Sequence, residues 1–288
     1  MHRLPLVRHG RIDIDGVEVH YRESVPDRAD APVLLLLHGF PTASHQFRRL
    51  IDALGADHRL IAPDYPGFGQ TTAPEAFTYT FDRLADIVEG FVDHLDLRRF
   101  TMYLFDFGAP VGLRLAERRP ERITGLVVQN GNAYTDGLSA AAQDFIALAP
   151  DQTGAEDRIR DLLTLEGTRF QYESGVPDPS LIAPEGWVLD QHYLDLPGRK
   201  EAQVALAFDY KSNVERYGAW QAWLREHQPP TLIVWGAGDP FFTEAGARAY
   251  LRDLPEAELH LLDAGHFALE TRLDVITPLI GDFLERQR

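Results

Sequence analysis

Short, uninterrupted apolar runs recur along this chain, each leading into a loop rich in Gly, Pro or Asp, and helical repeats lie between them. Val33-Leu34-Leu35-Leu36-Leu37 has no polar face, the pattern of a strand buried on both sides. The run ending at Phe105, together with Ile61 to Pro63, Ile123 to Gln129, Thr231 to Gly236 and Leu259 to Leu262, reads the same way. From Asp82 to Leu97 the apolar positions Leu84, Ile87, Val88, Phe91 and Leu95 keep a helical period, and Val111 to Arg118 predicts a second helix. Such alternation gives an α/β fold: a mostly parallel sheet with helices on both faces and right-handed crossovers. Upstream, Ile12 to Tyr21 alternates around Asp15-Gly16, a hairpin signal.

The alternation breaks between about Gly131 and Gln228, where the pattern is helical and punctuated by Gly175-Val176-Pro177-Asp178-Pro179 and Leu196-Pro197-Gly198. A structureless connection of that length does not suit a compact domain, so the segment reads as an inserted helical cap. The chain thus divides into a core of residues 1–130 and 229–288 and a cap of 131–228. No internal repeat or low-complexity segment is visible, and Pro26 to Pro32 reads as a loop between strands.

Composition narrows the possible partners. With 44% hydrophobic and 25% charged residues, the 288-residue chain has the make-up of a globular protein with a sizeable core. Its formal net charge of −16, with no basic stripe, argues against nucleic acid and anionic membranes and would repel a strongly anionic substrate. The absence of cysteine excludes disulfides, thiolate metal sites and a Cys nucleophile. Met1 to His9 lacks an apolar signal core and no run approaches a membrane span, so a cytoplasmic location is the expectation.

The chemistry centres on Leu104-Phe105-Asp106-Phe107-Gly108-Ala109-Pro110, where an aspartate stands at a strand-turn-helix junction. In the serine form of this turn a hydroxyl attacks an acyl carbon. A carboxylate suits a saturated carbon bearing a leaving oxygen or halide, because the product is then an ester that water can cleave. Two further strands end in candidate partners: Trp235-Gly236-Ala237-Gly238-Asp239 brings an acid and Asp263-Ala264-Gly265-His266 a base. The order nucleophile, acid, base, each on a loop beyond a strand, differs from both protease orders. His38 reads as a structural pin and Asp64 as a brace for its Gly-rich loop. Asp263 lies at a strand end and is a poorer acid than Asp239.

Taken together, His38-Gly39-Phe40-Pro41, Asp64 to Gly69, the Asp106 turn, Trp235 to Asp239 and Gly265-His266 resemble the α/β-hydrolase superfamily, in its epoxide hydrolase and haloalkane dehalogenase branch. The resemblance spans nearly the whole chain outside the cap and implies an α/β-hydrolase fold. It further implies Asp106 as nucleophile, His266 as the base for water, Asp239 as its partner, and the N–H groups of Phe40 and Phe107 as an oxyanion hole. No metal or organic cofactor is implied. One departure is Leu104, where the turn usually has a small residue, so a wider strand-helix crossing or a less sharp turn is expected. Some dehalogenase-like relatives carry their acid at the position of Asn130, an amide that cannot serve.

Within the branch the leaving group decides the substrate. Haloalkane dehalogenases place N–H donors where this chain has Phe107 and Phe40, whose rings cannot donate. Fluoroacetate dehalogenases place arginines one and four residues after the nucleophile, where Phe107 and Pro110 stand, and Arg114 lies too far along the helix. Epoxide hydrolases use cap tyrosines to protonate the ring oxygen. The cap offers Tyr134, Tyr172, Tyr193, Tyr210 and Tyr217. Tyr210, in Phe208-Asp209-Tyr210-Lys211-Ser212-Asn213, is the first choice, then Tyr172 and Tyr134. The reading is an epoxide hydrolase acting on an uncharged, apolar small molecule as a monomer or homodimer. The alternatives are a haloalkane or haloacid dehalogenase with the same triad, for which His192 is a candidate ligand, and a non-enzymatic small-molecule binder on the same scaffold.

Overall fold

The Asp15-Gly16 turn joins β1 (Leu6–Ile14) to β2 (Val17–Val25) in a computed structural model that describes residues 4–28 and 30–287. Asp15 and Gly16 have φ of 51° and 81°, the paired positive values of a hairpin turn whose twist matches its strands. The loop read from Pro26 to Pro32 follows, with Ala29 outside the described residues, as is Met1–Arg3 of the N-terminal reading.

Six more strands complete the sheet: β3 (Val33–Leu37), β4 (Arg59–Pro63), β5 (Phe100–Phe105), β6 (Ile123–Gln129), β7 (Thr231–Gly236) and β8 (Glu258–Leu262). Their order is β1-β2-β4-β3-β5-β6-β7-β8, antiparallel as far as β4 and parallel beyond. Core helices α1 (Arg48–Leu54), α2 (Phe81–His94) and α3 (Gly108–Arg118) alternate with the strands. Leu34 and Leu36 pack with Leu50 and Ile51 of α1, whereas Leu35 and Leu37 pack with Phe91 of α2 and Val111 of α3. The unbroken leucine run thus serves two cores at once.

Sequence and structure differ slightly at helix ends. α2 stops at His94 because Asp96 takes φ 50°. α3 begins at Gly108, before Val111, since Pro110 is tolerated in a first turn where no N–H is needed.

Between β6 and β7 run α4 (Ala140–Ile146), α5 (Ala155–Asp161), α6 (Leu165–Glu173), α7 (Glu185–Leu194), α8 (Arg199–Asp209) and α9 (Lys211–His227); α10 (Glu244–Asp253), α11 (Ala268–Thr271) and α12 (Leu273–Arg286) follow in the core. Residues 131–138 still belong with the core packing: Leu138 bridges to Phe242, and the Tyr134 hydroxyl donates to Asp253 at 2.7 Å. The helical roof starts at Ser139, which caps α4.

Polar ties hold the roof down. Arg114 on α3, fully buried, donates to Asp82 at 2.6 Å, to Asn213 at 2.7 Å and to Ser212 at 3.1 Å. Asp209 accepts from the Phe81 N–H at 2.8 Å. On the opposite side the contact is backbone against backbone. A Cβ added at Gly175 would lie 1.7 Å from the Gly238 carbonyl oxygen, one at Gly238 would lie 2.1 Å from that of Gly175, and one at Gly265 would lie 2.4 Å from that of Ser174. Among the described residues no helix is long and apolar enough to cross a membrane.

Candidate functional site

Asp106 sits between β5 and α3 with φ 49°, a left-handed conformation rare outside glycine. Two glycines make room for it. A Cβ on Gly39 would come within 2.3 Å of the Asp106 Cβ, and one on Gly108 within 2.1 Å of the Leu37 carbonyl oxygen. Leu104 does not widen the crossing, contrary to expectation. Its Cδ2 occupies the space beside Gly112, where a Cβ would lie 2.3 Å away. The small residue has moved from strand to helix and the sharp turn is kept.

Asp106 Oδ1 accepts from the Phe40 N–H at 2.7 Å, and the Phe107 N–H also donates to this carboxylate. Oδ2 faces His266 Nε2 at 3.7 Å. Burial raises the Asp106 pKa; His266 and the two N–H groups oppose that shift without cancelling it.

His266, 1% exposed, lies on the loop after β8, edged by the rings of Phe105, Phe241, Phe242 and Phe267. Its Nδ1 is 2.6 Å from Asp239 Oδ2. Burial disfavours the imidazolium, but the charge and hydrogen bond of Asp239, followed by the charge of Asp106, lift the His266 pKa above its ordinary value. Asp239 Oδ1 accepts from the N–H groups of Phe241 at 2.8 Å and Phe242 at 3.1 Å. Its Oδ2 also accepts from Asn130 Nδ2 at 2.8 Å. Asn130, itself at φ 46°, is therefore a holder of the acid rather than a vacant acid position.

The bracing residues behave as read. His38 Nε2 accepts from the Tyr65 N–H at 3.2 Å, and burial pushes its pKa down to about 4, so the ring stays neutral. Asp64 accepts from the N–H groups of Ser44 at 2.7 Å and Gln70 at 2.8 Å and pairs with His20 at 3.0 Å. Burial works against its charge, yet these partners hold its pKa well below the usual carboxylate range.

A cavity of about 350 Å³ opens above Asp106 and His266, walled by Phe40, Phe107, Phe145, Ile159, Phe241 and neighbouring apolar side chains. Tyr210 lines it, with its ring centroid 5.8 Å from that of Phe107. Burial raises the Tyr210 pKa well above the tyrosine range, which keeps the phenol protonated. It shares a hydrogen bond with Tyr217, whose oxygen accepts from Asn132 at 3.1 Å.

The other two tyrosine expectations require correction. Tyr172 does not line the cavity: its ring stacks on Phe267 at 3.9 Å and its hydroxyl donates to Asp190 at 2.5 Å. Tyr134 packs on Tyr250 and spends its proton on Asp253. Both phenols are committed to buried carboxylates, which outcompete any substrate oxygen. His192 is exposed and outside the cavity.

Sequence reasoning passed over Gln171 and Gln203, two buried amides that line the cavity. A signal existed for Gln203. It precedes Ala207 and Tyr210 by four and seven residues on α8 and its C-cap, the spacing of one helix face. Among the described residues no group of three or more His, Asp or Glu is arranged to hold a metal ion.

A carboxylate with one oxygen held by the Phe40 N–H and the other facing an imidazole oriented by Asp239 can attack carbon and then be hydrolysed as an ester. Comparison with known proteins agrees with the fold. A family model described as the alpha/beta hydrolase fold matches residues 32–273. An uncharacterized hydrolase of Saccharomyces cerevisiae is 40% identical over 287 residues, covering 97% of this chain and 98% of the relative. A haloalkane dehalogenase of Mycolicibacterium paratuberculosis is 30% identical over 274 residues, covering 90% and 85% respectively. Among solved structures, the haloalkane dehalogenase DatA from Agrobacterium tumefaciens C58 aligns with a TM-score of 0.80 at 25% identity, over 98% of this chain and 97% of its own.

Proposed function

The chain belongs to the α/β-hydrolase fold family, in the branch that holds the haloalkane dehalogenases, and on that premise we propose that this hydrolase opens epoxides with water through an ester on Asp106. In this reading the helices α4 to α9, within the 131–228 insertion, are a cap on the core that the sheet and its flanking helices form. The observation that carries the choice of epoxide is Tyr210, a protonated phenol on the wall shared with Asp106, in a site whose ring positions beside the nucleophile cannot donate.

Asp106 Oδ2, the oxygen that faces His266, attacks an epoxide carbon, and the bond from that carbon to the ring oxygen breaks. The oxygen takes the Tyr210 proton. At rest the Tyr210 hydroxyl hydrogen-bonds with Tyr217, whose oxygen also accepts from Asn132, and the Tyr210 proton turns from Tyr217 to the substrate oxygen as the ring opens. Oδ1 then becomes the ester carbonyl oxygen, already within reach of the Phe40 N–H. Water attacks the carbonyl carbon while His266 Nε2 takes its proton. The N–H groups of Phe40 and Phe107 hold the oxyanion, and Asp239 steadies the imidazolium. On collapse the alkyl oxygen leaves with the proton that remained on the added hydroxyl, giving the vicinal diol and the Asp106 carboxylate, and the proton held by His266 restores the tyrosine.

Dehalogenation through the same ester is the second reading, favoured by the names of the relatives. The halide would need N–H donors, and the buried unpartnered side-chain nitrogen in the lining is Gln171 Nε2. A binder without turnover would have no need of the donors converging on Asp106. The test is intact mass of a His266→Ala variant after incubation with aryl and alkyl epoxides, chloro- and bromoalkanes, and haloacetates. The expected adduct equals a whole epoxide and maps to Asp106. An alkyl adduct lacking halogen, formed by the haloalkanes alone, would make the protein a dehalogenase; no adduct and no wild-type turnover would favour the binder.

A further inference from the structure

Tyr210 stands at a break between two helices: α8 ends at Asp209 and α9 starts at Lys211. The main-chain bonds across the break span three residues, from the Tyr210 N–H to the Ala207 carbonyl at 3.2 Å and from the Asn213 N–H to the Tyr210 carbonyl at 2.9 Å. Bonds of that spacing are less well aligned than those of an α-helix, so the ladder alone holds Tyr210 loosely. Arg114 adds a second hold. From α3, the helix that starts two residues after Asp106, it donates to Asn213 Oδ1 at 2.7 Å and to the Ser212 hydroxyl at 3.1 Å. It also donates to the Pro110 carbonyl of its own helix at 3.2 Å and to Asp82 at 2.6 Å. Asn213 is buried, and its Nδ2 has no partner among the described residues, so this amide is engaged through its oxygen alone. The hydrogen bonds from Arg114 to the roof all land within three residues of Tyr210. On the near side, Asp209 accepts from the N–H of Phe81, whose ring meets that of Tyr210 edge-on at 5.7 Å.

We infer that Arg114 is a positioning residue for ring opening: through Asn213 it fixes the place of the Tyr210 hydroxyl relative to Asp106. Its effect on rate rests on the reading of Tyr210 as the proton donor of the proposed reaction; its effect on the place of Tyr210 does not. Nucleophile and proton donor are then referred to one element, since α3 begins beside Asp106 and carries Arg114 further along. The roof helices cannot carry Tyr210 away from Asp106 without breaking a buried, charge-assisted hydrogen bond. A guanidinium suits the task because its planar fork serves the four acceptors at once, whereas an ammonium has three donors and no fixed plane.

Asn213→Ala cuts the link and leaves Arg114 its other partners. In a His266→Ala background, where the ester accumulates, the rate at which styrene oxide labels Asp106 reports ring opening alone. Asn213→Ala should slow that rate about tenfold or more, since a misplacement of about 1 Å can cost on the order of 10²-fold. Asn213→Asp, which keeps an acceptor for Arg114, should restore it. With Tyr210→Phe also present, the alanine change should cost nothing further, whereas a merely structural tie would cost the same factor with or without the hydroxyl. Position is read without any reaction, from the NMR signal of Tyr210 in protein carrying 13C at tyrosine Cζ, identified by its loss in Tyr210→Phe. That signal should move in Asn213→Ala and return in Asn213→Asp, with those of Tyr134 and Tyr172 unmoved. Arg114→Lys, with the same expected losses, replaces Asn213→Ala if the latter does not fold. An unmoved Tyr210 signal, an unslowed ester, or a penalty that persists beside Tyr210→Phe would each overturn the inference. A moved signal with no ester from styrene oxide would support the positioning and count against the epoxide reading instead.

Discussion

Asn130 clasps the Asp239 loop at both ends of its amide: Nδ2 donates to Asp239 Oδ2 at 2.8 Å, and Oδ1 accepts from the Gly236 N–H at 2.9 Å. The oxygen it holds is the one that faces His266 Nδ1. Removing the donor leaves a more basic carboxylate against the imidazole, which stabilises the imidazolium further. Asn130→Ala should therefore lower kcat by about tenfold with little change in KM, and move the acid limb of the kcat profile to higher pH. A loop that merely lost stability would not shift the limb.

Activity and stability should respond to pH in opposite senses at His266. The base must be neutral to accept a proton from water, so turnover should fall as pH drops through its raised pKa, with a limb above the ordinary 6.5. Asp239 is the larger of the raising influences, so the limb persists once Asp106 is esterified. For folding, a histidine with a raised native pKa contributes stability that is fully present below its unfolded pKa and lost as pH rises through the folded one. Urea denaturation of wild type and His266→Gln between pH 6 and pH 9, a range set about the ordinary histidine pKa of roughly 6.5, should show the wild-type advantage shrinking with pH.

The three tyrosines should separate cleanly. Tyr210→Phe should reduce kcat/KM on epoxides about 10²-fold or more, the scale of a lost general acid, without lowering thermal stability appreciably. Tyr172→Phe and Tyr134→Phe strip donors from the buried Asp190 and Asp253 and should destabilise by about 1–3 kcal/mol with kcat/KM little changed. Thermal melts and initial rates on the same preparations decide this. A Tyr172→Phe protein that folds normally and is inactive would reverse the assignment.

Leu104 and Gly112 share one volume and should couple. Gly112→Ala should destabilise by about 1–3 kcal/mol, as its Cβ meets both Leu104 Cδ2 and, at 2.9 Å, Leu37 Cδ1. Leu104→Ala alone should cost about 2–5 kcal/mol as a cavity. The double variant should be more stable than the sum of the two changes implies, measured as a denaturation cycle.

The sheet, its hairpin and the positions of Asp106, Asp239 and His266 were legible because each is written locally: a strand pattern, then a loop with one chemical group. Contacts made across the fold were not. Nothing beside Asn130 in the chain announces that it will meet Asp239, more than a hundred residues away. The tyrosines looked interchangeable because an aromatic ring with a hydroxyl suits a wet cavity and a dry carboxylate equally well. Their fate was set by Asp190 and Asp253, whose burial the local sequence does not show. Leu104 was read as a defect because its compensating partner, Gly112, lies on the next element.

The backbone seam formed by Gly175, Gly238 and Gly265 makes the roof and the loops that carry Asp239 and His266 a single unit of inheritance. Side-chain interfaces can be renegotiated one residue at a time, but an interface of bare main chain admits no intermediate sizes. α4 and α5, which carry much of the apolar wall, lie clear of the seam and are free to diversify. A chimera that takes its roof from a related hydrolase must carry a glycine at 175 with it, or the incoming side chain will displace the loop that presents Asp239.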